Sequence, residues 1–263
     1  MNTLTSKDGT KIAYDKQGAG PMVILVDGAL CTRSFGSKPE LIKLLEPHFT
    51  VYNYDRRGRG DSGDTKPYAV EREVEDIEAL NDEAGKAVYI YGHSSGAALA
   101  LEASMRLGNK IKKLAMYEAP YRIDPEAKRV WKEYIKQLTE MLAANRRGDA
   151  VALFMKLVET PADQVEAMRH ATEWPMLEAI APTLAYDHTA ILGQDAALPI
   201  KRVASVSVPA LVMNGGASYP FMHITAQALS RAMPHARLHT LEDQEHNVSP
   251  EVLAPVLVEF FTA

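Results

Sequence analysis

The sequence predicts an α/β fold, a mainly parallel sheet covered by helices on both faces, with a helical cap inserted before the last strands. Three observations carry this. Short apolar runs alternate with stretches of helical spacing along most of the chain. Runs such as Met22–Val26 are apolar throughout, the pattern of a strand buried on both faces. Between about residues 121 and 206 the alternation stops and several helical patterns follow one another.

Taken in order, Asp8-Gly9-Thr10 separates two runs of strand character, residues 2–6 and 11–15, and suggests an opening hairpin. Met22–Val26 is the next strand, and residues 49–54, rich in β-branched and aromatic side chains, the one after it. Residues 87–91, Ile111–Tyr117 and residues 210–213 continue the series. Ala236–Leu241 is more polar and belongs nearer an edge. Helical spacing fills the intervals at Lys38–Leu45, at Val70–Ala84 with Val74, Ile77 and Leu80 on one face, at Ser95–Leu107, and at residues 222–233 and 250–261. In the interval that breaks the pattern, Val130, Tyr134, Leu138, Met141 and Leu142 recur at helical spacing. Residues 150–159, 162–171 and 176–186 follow, with breaks expected at Pro161, Pro175, Pro182 and Pro199. Helices inserted between two strands of one sheet read as a cap over the strand ends. Residues 1–120 and 207–263 are therefore expected to form the core, and residues 121–206 the cap. Function is expected at the carboxyl ends of the strands.

Composition excludes several classes. A net charge of −5, with no run of Lys and Arg, argues against a nucleic-acid surface. One cysteine cannot build an intrachain disulfide framework and fits a reducing compartment. The first ten residues have no apolar core of a signal peptide, and no apolar run is long enough to span a membrane, so a cytoplasmic location is expected. Histidines and carboxylates show no metal-ligand spacing, and neither a Gly-rich phosphate loop nor a dinucleotide fingerprint appears. The expectation is no cofactor, no metal, and a small-molecule substrate as the partner.

The segment Gly92-His93-Ser94-Ser95-Gly96 stands between an apolar run and an Ala-rich helix. A sharp strand-to-helix turn needs that order. The glycines let the backbone turn and pack tightly, and Ser94 is left at the apex above a helix N-terminus. The plainer alternative is a Gly-Ser turn that only links two elements.

Four blocks together resemble the α/β-hydrolase superfamily, over nearly the whole chain. They are Val26-Asp27-Gly28-Ala29, the loop from Tyr54 to Ser62 with its Asp55-Arg56-Arg57-Gly58-Arg59-Gly60, the turn at Gly92–Gly96, and Gln244-Glu245-His246-Asn247. The resemblance implies that Ser94 is a nucleophile and His246 its general base, with the backbone N–H groups of Ala29 and Ser95 as oxyanion donors. Most relatives carry an aspartate in the loop after the strand at 210–213. Here residues 214–220 read Asn-Gly-Gly-Ala-Ser-Tyr-Pro, with no carboxylate, and Ser218 stands near the expected acid. Some relatives place the acid after the preceding strand, where this chain has Glu118. Glu118 is thus the candidate third member; the alternative is a structural carboxylate at the cap hinge. Asp243 and Glu245 read as solvated loop charges.

Asp27 stands where the family commonly has histidine. A bare carboxylate aimed into an oxyanion hole would oppose the reaction. Asp27 therefore either turns away into a hydrogen-bond network or is partly protonated by burial, and it is also a candidate substrate contact. Asp55, Arg56 and Arg57 read as loop-stabilising ion pairs rather than an anion site. Cys31, near the oxyanion loop, reads as a small buried hydrophobe. Trp131 and Trp174 are among the large apolar residues expected to pack the cap, and are candidates for lining a cleft above Ser94. The expected activity is a serine hydrolase, carboxylesterase-like or lactonase-like, that attacks a small ester or lactone through an acyl-enzyme. Two alternatives stay open: carbon–carbon bond hydrolysis or another cofactor-independent reaction with the same residues, and a ligand sensor or partner-binding protein with little hydrolysis.

Overall fold

In the computed structural model, which describes residues 1–35 and 38–263, a hairpin of Asn2–Thr5 (β1) and Lys11–Gln17 (β2) leads into an eight-stranded sheet. Met22–Val26 (β3), Thr50–Tyr54 (β4), Val88–His93 (β5), Ile111–Tyr117 (β6), Ala210–Gly215 (β7) and Ala236–Leu241 (β8) complete it. The order across the sheet is β1-β2-β4-β3-β5-β6-β7-β8. β1, β2 and β4 pair antiparallel, and every pairing from β4 to β8 is parallel. β8 lies at one edge of the sheet, as its polar sequence predicts, and β1 at the other.

The central strands are apolar throughout because each feeds two cores, one per face. In β3, Met22, Ile24 and Val26 join one buried cluster, while Val23 and Leu25 join the other. In β5, Val88 and Ile90 face one way and Tyr89 and Tyr91 the other. Lys38–Leu45 (α1) lies on the second face, and Val70–Ala84 (α2) and Ser95–Leu107 (α3) on the first. Between β6 and β7 come Pro125–Ala143 (α4), Arg147–Leu157 (α5), Ala162–Arg169 (α6), Trp174–Ile180 (α7) and Ile200–Val203 (α8). Pro220–Ala232 (α9) then packs on the first face, and Pro250–Thr262 (α10) beside α1 on the second. The inserted helices extend the first core rather than forming their own: Trp131, Leu138, Val151 and Leu184 belong to the same cluster as Ile24 and Leu99.

The prolines sort by position. Pro125, Pro175, Pro220 and Pro250 sit in the first turn of helices, where a missing N–H costs nothing. Pro175 therefore opens α7, where the sequence suggested a break. Pro182 does interrupt. The helix expected over 176–186 ends at Ile180, a 3-10 turn spans Ala181–Thr183, and the wider π-helical segment Ala185–Ile191 follows. Among the described residues, no helix is long and apolar enough to cross a membrane.

Candidate active site

The turn after β5 is the strained point of the backbone. Ser94 has φ 56° and ψ −127°, a conformation that L residues seldom adopt. The two flanking glycines have no alternative. A Cβ on Gly92 would lie 2.5 Å from the Gly96 carbonyl oxygen, and one on Gly96 would lie 2.2 Å from that of Val26. The Ser94 N–H donates to the Tyr117 carbonyl at 2.9 Å, which ties the turn to the end of β6. Ser94 itself stays partly exposed beside the buried Ser95.

One residue past β6, Glu118 also has positive φ, 52°, and its side chain is fully buried. Its Oε2 lies 2.6 Å from His246 Nδ1 and accepts from the Ser218 hydroxyl at 2.9 Å, while Oε1 accepts the Gly215 N–H at 2.8 Å. Burial alone would push the Glu118 pKa up. The hydrogen bonds and charge of His246, with the donors from Gly215 and Ser218, outweigh it and hold the pKa below the usual carboxylate range. The loop after β7 thus carries no acid but supplies two donors to one. With Nδ1 engaged, His246 keeps Nε2 free to exchange a proton.

Two further groups hold the histidine loop. His93 Nε2 lies 3.0 Å from the His246 carbonyl oxygen, and the Tyr117 hydroxyl donates to the Glu245 carbonyl at 2.5 Å. Burial lowers the His93 pKa to about 4, so its ring is neutral and Nε2–H is the donor. Gly215 admits this loop closely, since a Cβ there would lie 2.2 Å from the Gln244 carbonyl oxygen.

The loop after β3, which the sequence leads one to expect as the source of an oxyanion donor, lies against Ser94: a Cβ on Gly28 would come within 3.0 Å of the Ser94 Cβ. Its carbonyls are held by the arginines of the loop after β4. Arg56 donates to the Asp27 oxygen at 3.0 Å and Arg59 to the Gly28 oxygen at 2.6 Å. Across the trans peptide the Ala29 N–H then points away from Arg59. Both arginines also bind Asp187 in the π-helical segment, at 2.6 and 2.5 Å, and Asp187 accepts from the Ser95 hydroxyl at 2.9 Å. Arg56 is bidentate to Glu73, and Arg57 to Asp76. Burial would raise the Asp187 pKa, but the charges of Arg56 and Arg59 prevail and lower it to about 2. The arginine-rich loop is therefore an ion-pair framework, as its sequence suggests, and it reaches into the inserted helices.

Asp27 takes the first of its two expected courses. Its carboxylate pairs with Lys38, which also donates to Asn53 at 3.1 Å, although burial pushes its pKa up. Cys31 donates weakly to the Ala29 carbonyl at 3.5 Å, and burial raises its thiol pKa to about 11, so it is no thiolate. Trp131 stands on α4 with its ring centroid 5.3 Å from that of His188, next to Asp187. Trp174 packs inside the insertion, with Arg169 5.3 Å over its ring, and is not brought to the Glu118–His246 pair. Sequence reading missed Asp187, His93 and Tyr117. A loop with three buried arginines signals that buried acids exist, but not which ones.

A serine raised on a strained turn at the end of β5, with a hydrogen-bonded acid and histidine on the segments after β6 and β8, is the arrangement of an α/β hydrolase. Residues 27–256 match the model of the Alpha/beta hydrolase family, and the chain belongs to that family. It is similar to an alpha/beta hydrolase from Sphaerobacter thermophilus, with TM-score 0.86 and 49% identity over 99% of this chain and 100% of that one. It shares its fold with an enol-lactonase from Burkholderia xenovorans (TM-score 0.72, 22% identity, 100% of both chains) and an esterase from Exiguobacterium antarcticum (TM-score 0.75, 17% identity, 99% of both). A curated hydrolase of uncharacterized activity from Bacillus subtilis is 27% identical over 157 residues, 57% of this chain and 55% of that protein. The chain spans about half the length of the curated relatives it matches.

Proposed function

We propose that this chain hydrolyses a small ester or lactone through an acyl-enzyme on Ser94. The observation that carries the reading is the 2.6 Å contact between His246 Nδ1 and Glu118 Oε2, which fixes the tautomer that leaves Nε2 as a base. Ser94 Oγ attacks the substrate carbonyl and passes its proton to His246 Nε2, and Glu118 stabilises the imidazolium. The oxygen that becomes negative is met by the N–H groups of Ala29 and Ser95. The Gly28 carbonyl on Arg59 orients and polarises the first, and the Ser95 side chain on Asp187 restrains the second. Collapse breaks the acyl C–O bond and the leaving alkoxide takes the proton from His246. Water then gives a proton to His246 and attacks the acyl carbon, which releases the acid and returns the proton to Ser94.

A partner-binding role without hydrolysis drew its weight from the missing aspartate after β7, and the bonded Glu118 removes that ground. On this reading the protein works in the cytoplasm on a small molecule, without nucleic acid or membrane. The test is turnover of short p-nitrophenyl esters beside a Ser94→Ala control, with labelling by a fluorophosphonate. Turnover and labelling that both vanish in Ser94→Ala support the reading; a wild-type protein with neither overturns it.

A further inference from the structure

Arg122 follows Glu118 by four residues, on the segment that leads from β6 into the inserted helices. Its backbone is pinned, with the N–H donating to the Ala196 carbonyl at 2.7 Å. Its guanidinium lies 3.6 Å from the ring centroid of Phe221 and 5.8 Å from that of Trp131. Among the described residues no carboxylate is within ion-pair distance of it, and no group hydrogen-bonds its nitrogens. The nearest acid in sequence, Asp124, is occupied in capping α4 through the N–H groups of Glu126 and Ala127. Glu159 acts on Arg122 only at longer range and is exposed. Burial lowers the Arg122 pKa to about 10, which leaves it charged at neutral pH. Arg56, Arg57 and Arg59 are each matched by an acid; the half-buried Arg122 is not, among the described residues.

Its two aromatic neighbours belong to segments that also contribute residues to the site. Phe221 stands three residues after Ser218, which binds Glu118. Trp131 packs on His188, whose neighbour Asp187 binds Ser95. A planar guanidinium stacked on an aromatic ring keeps its N–H edges available for a carboxylate in bidentate geometry. We infer that Arg122 recognises an anionic group on the substrate, so that the preferred ester or lactone carries a free carboxylate away from the scissile carbonyl. This rests on the hydrolase reading above and adds a substrate class to it.

The test compares the mono-p-nitrophenyl ester of glutarate with the p-nitrophenyl ester of pentanoate, which has the same chain length without the acid. Wild-type protein is expected to have the higher kcat/KM for the anionic ester. Arg122→Met, which keeps an apolar side chain over Phe221, lowers the anionic-to-neutral ratio about 10- to 100-fold, and Arg122→Lys gives an intermediate ratio. A ratio unmoved by Arg122→Met overturns the inference. Binding is read separately by calorimetry with glutarate on the Ser94→Ala protein, which needs no turnover. Glutarate bound there, and lost on adding Arg122→Met, supports the site even if the hydrolase reading fails; no binding overturns it. Arg122 also walls an outer groove of about 330 Å³ with Ile123 and Ile224. Glutarate that binds wild type without slowing fluorophosphonate labelling of Ser94 would lie in that groove, and overturns the inference as well.

Discussion

On the acid side of the site one carboxylate serves one histidine. Glu118 binds His246, and the loop after β7 contributes only neutral donors, Gly215 N–H and Ser218. On the oxyanion side Arg56, Arg57 and Arg59 interlock with Glu73, Asp76 and Asp187, and backbone carbonyls of the oxyanion loop complete their coordination. On the proposed mechanism the acid side keeps its charge available, because His246 gains and loses a proton during turnover. The oxyanion side has its charges consumed in pairs, so what is left for the substrate is a set of fixed N–H groups. Losses on the first side are therefore expected in rate, and losses on the second in stability as well.

The largest expected effect tests the first half of that contrast. Glu118→Gln keeps the shape but loses the charge that supports the imidazolium, and kcat is expected to fall about 10³- to 10⁴-fold. Thermal unfolding is expected to show little loss beside it. A melting temperature that falls as steeply as the rate would erase the distinction between the two sides.

Asp187→Ala tests the second half. It leaves Arg56 and Arg59 short of a buried partner, and a loss of about 3–5 kcal/mol in unfolding free energy is expected from denaturant titration. A variant as stable as wild type would mean that the framework does not hold the oxyanion loop. The same acid predicts a pH dependence. Its folded pKa, lowered to about 2, lies below its ordinary value of 3.8, so its contribution is present above about pH 4 and is lost as pH falls toward 2. On the order of 2 kcal/mol is involved, and Asp187→Asn is expected to flatten that part of the stability curve. An unchanged slope in the variant assigns the acid transition to other groups.

The smallest effect concerns the loop without an acid. Ser218→Ala removes one donor from Glu118 and is expected to lower kcat about three- to tenfold. With that donor gone the Glu118 pKa rises, so the acid limb of the kcat profile is expected to move to higher pH. A limb that stays in place would mean that Gly215 and His246 suffice.

The sheet was legible because each central strand is buried on both faces and so reads as an unbroken apolar run. The serine turn was legible because its glycines are required by contacts a few residues away, Gly92 against Gly96 among them. Glu118 was reached through the family pattern and the lack of any carboxylate at 214–220. What stayed hidden has one physical cause. Asp187 meets Arg56 across 131 residues and Ser95 across 92, and His93 meets the His246 carbonyl across 153. No local spacing encodes such meetings. Helix limits in the insertion were hidden for another reason: a proline opens a helix or ends it according to its position, and composition alone does not give the position.

The anchoring of Asp187 bears on how a molecule reaches Ser94. Raising the Ala185–Ile191 segment from the sheet would strand two guanidinium groups and the Ser95 hydroxyl together, so this part of the insertion acts as a gatepost rather than a door. On the proposed mechanism, a substrate for Ser94 is then admitted by movement elsewhere than in this segment, which stays fixed to the sheet.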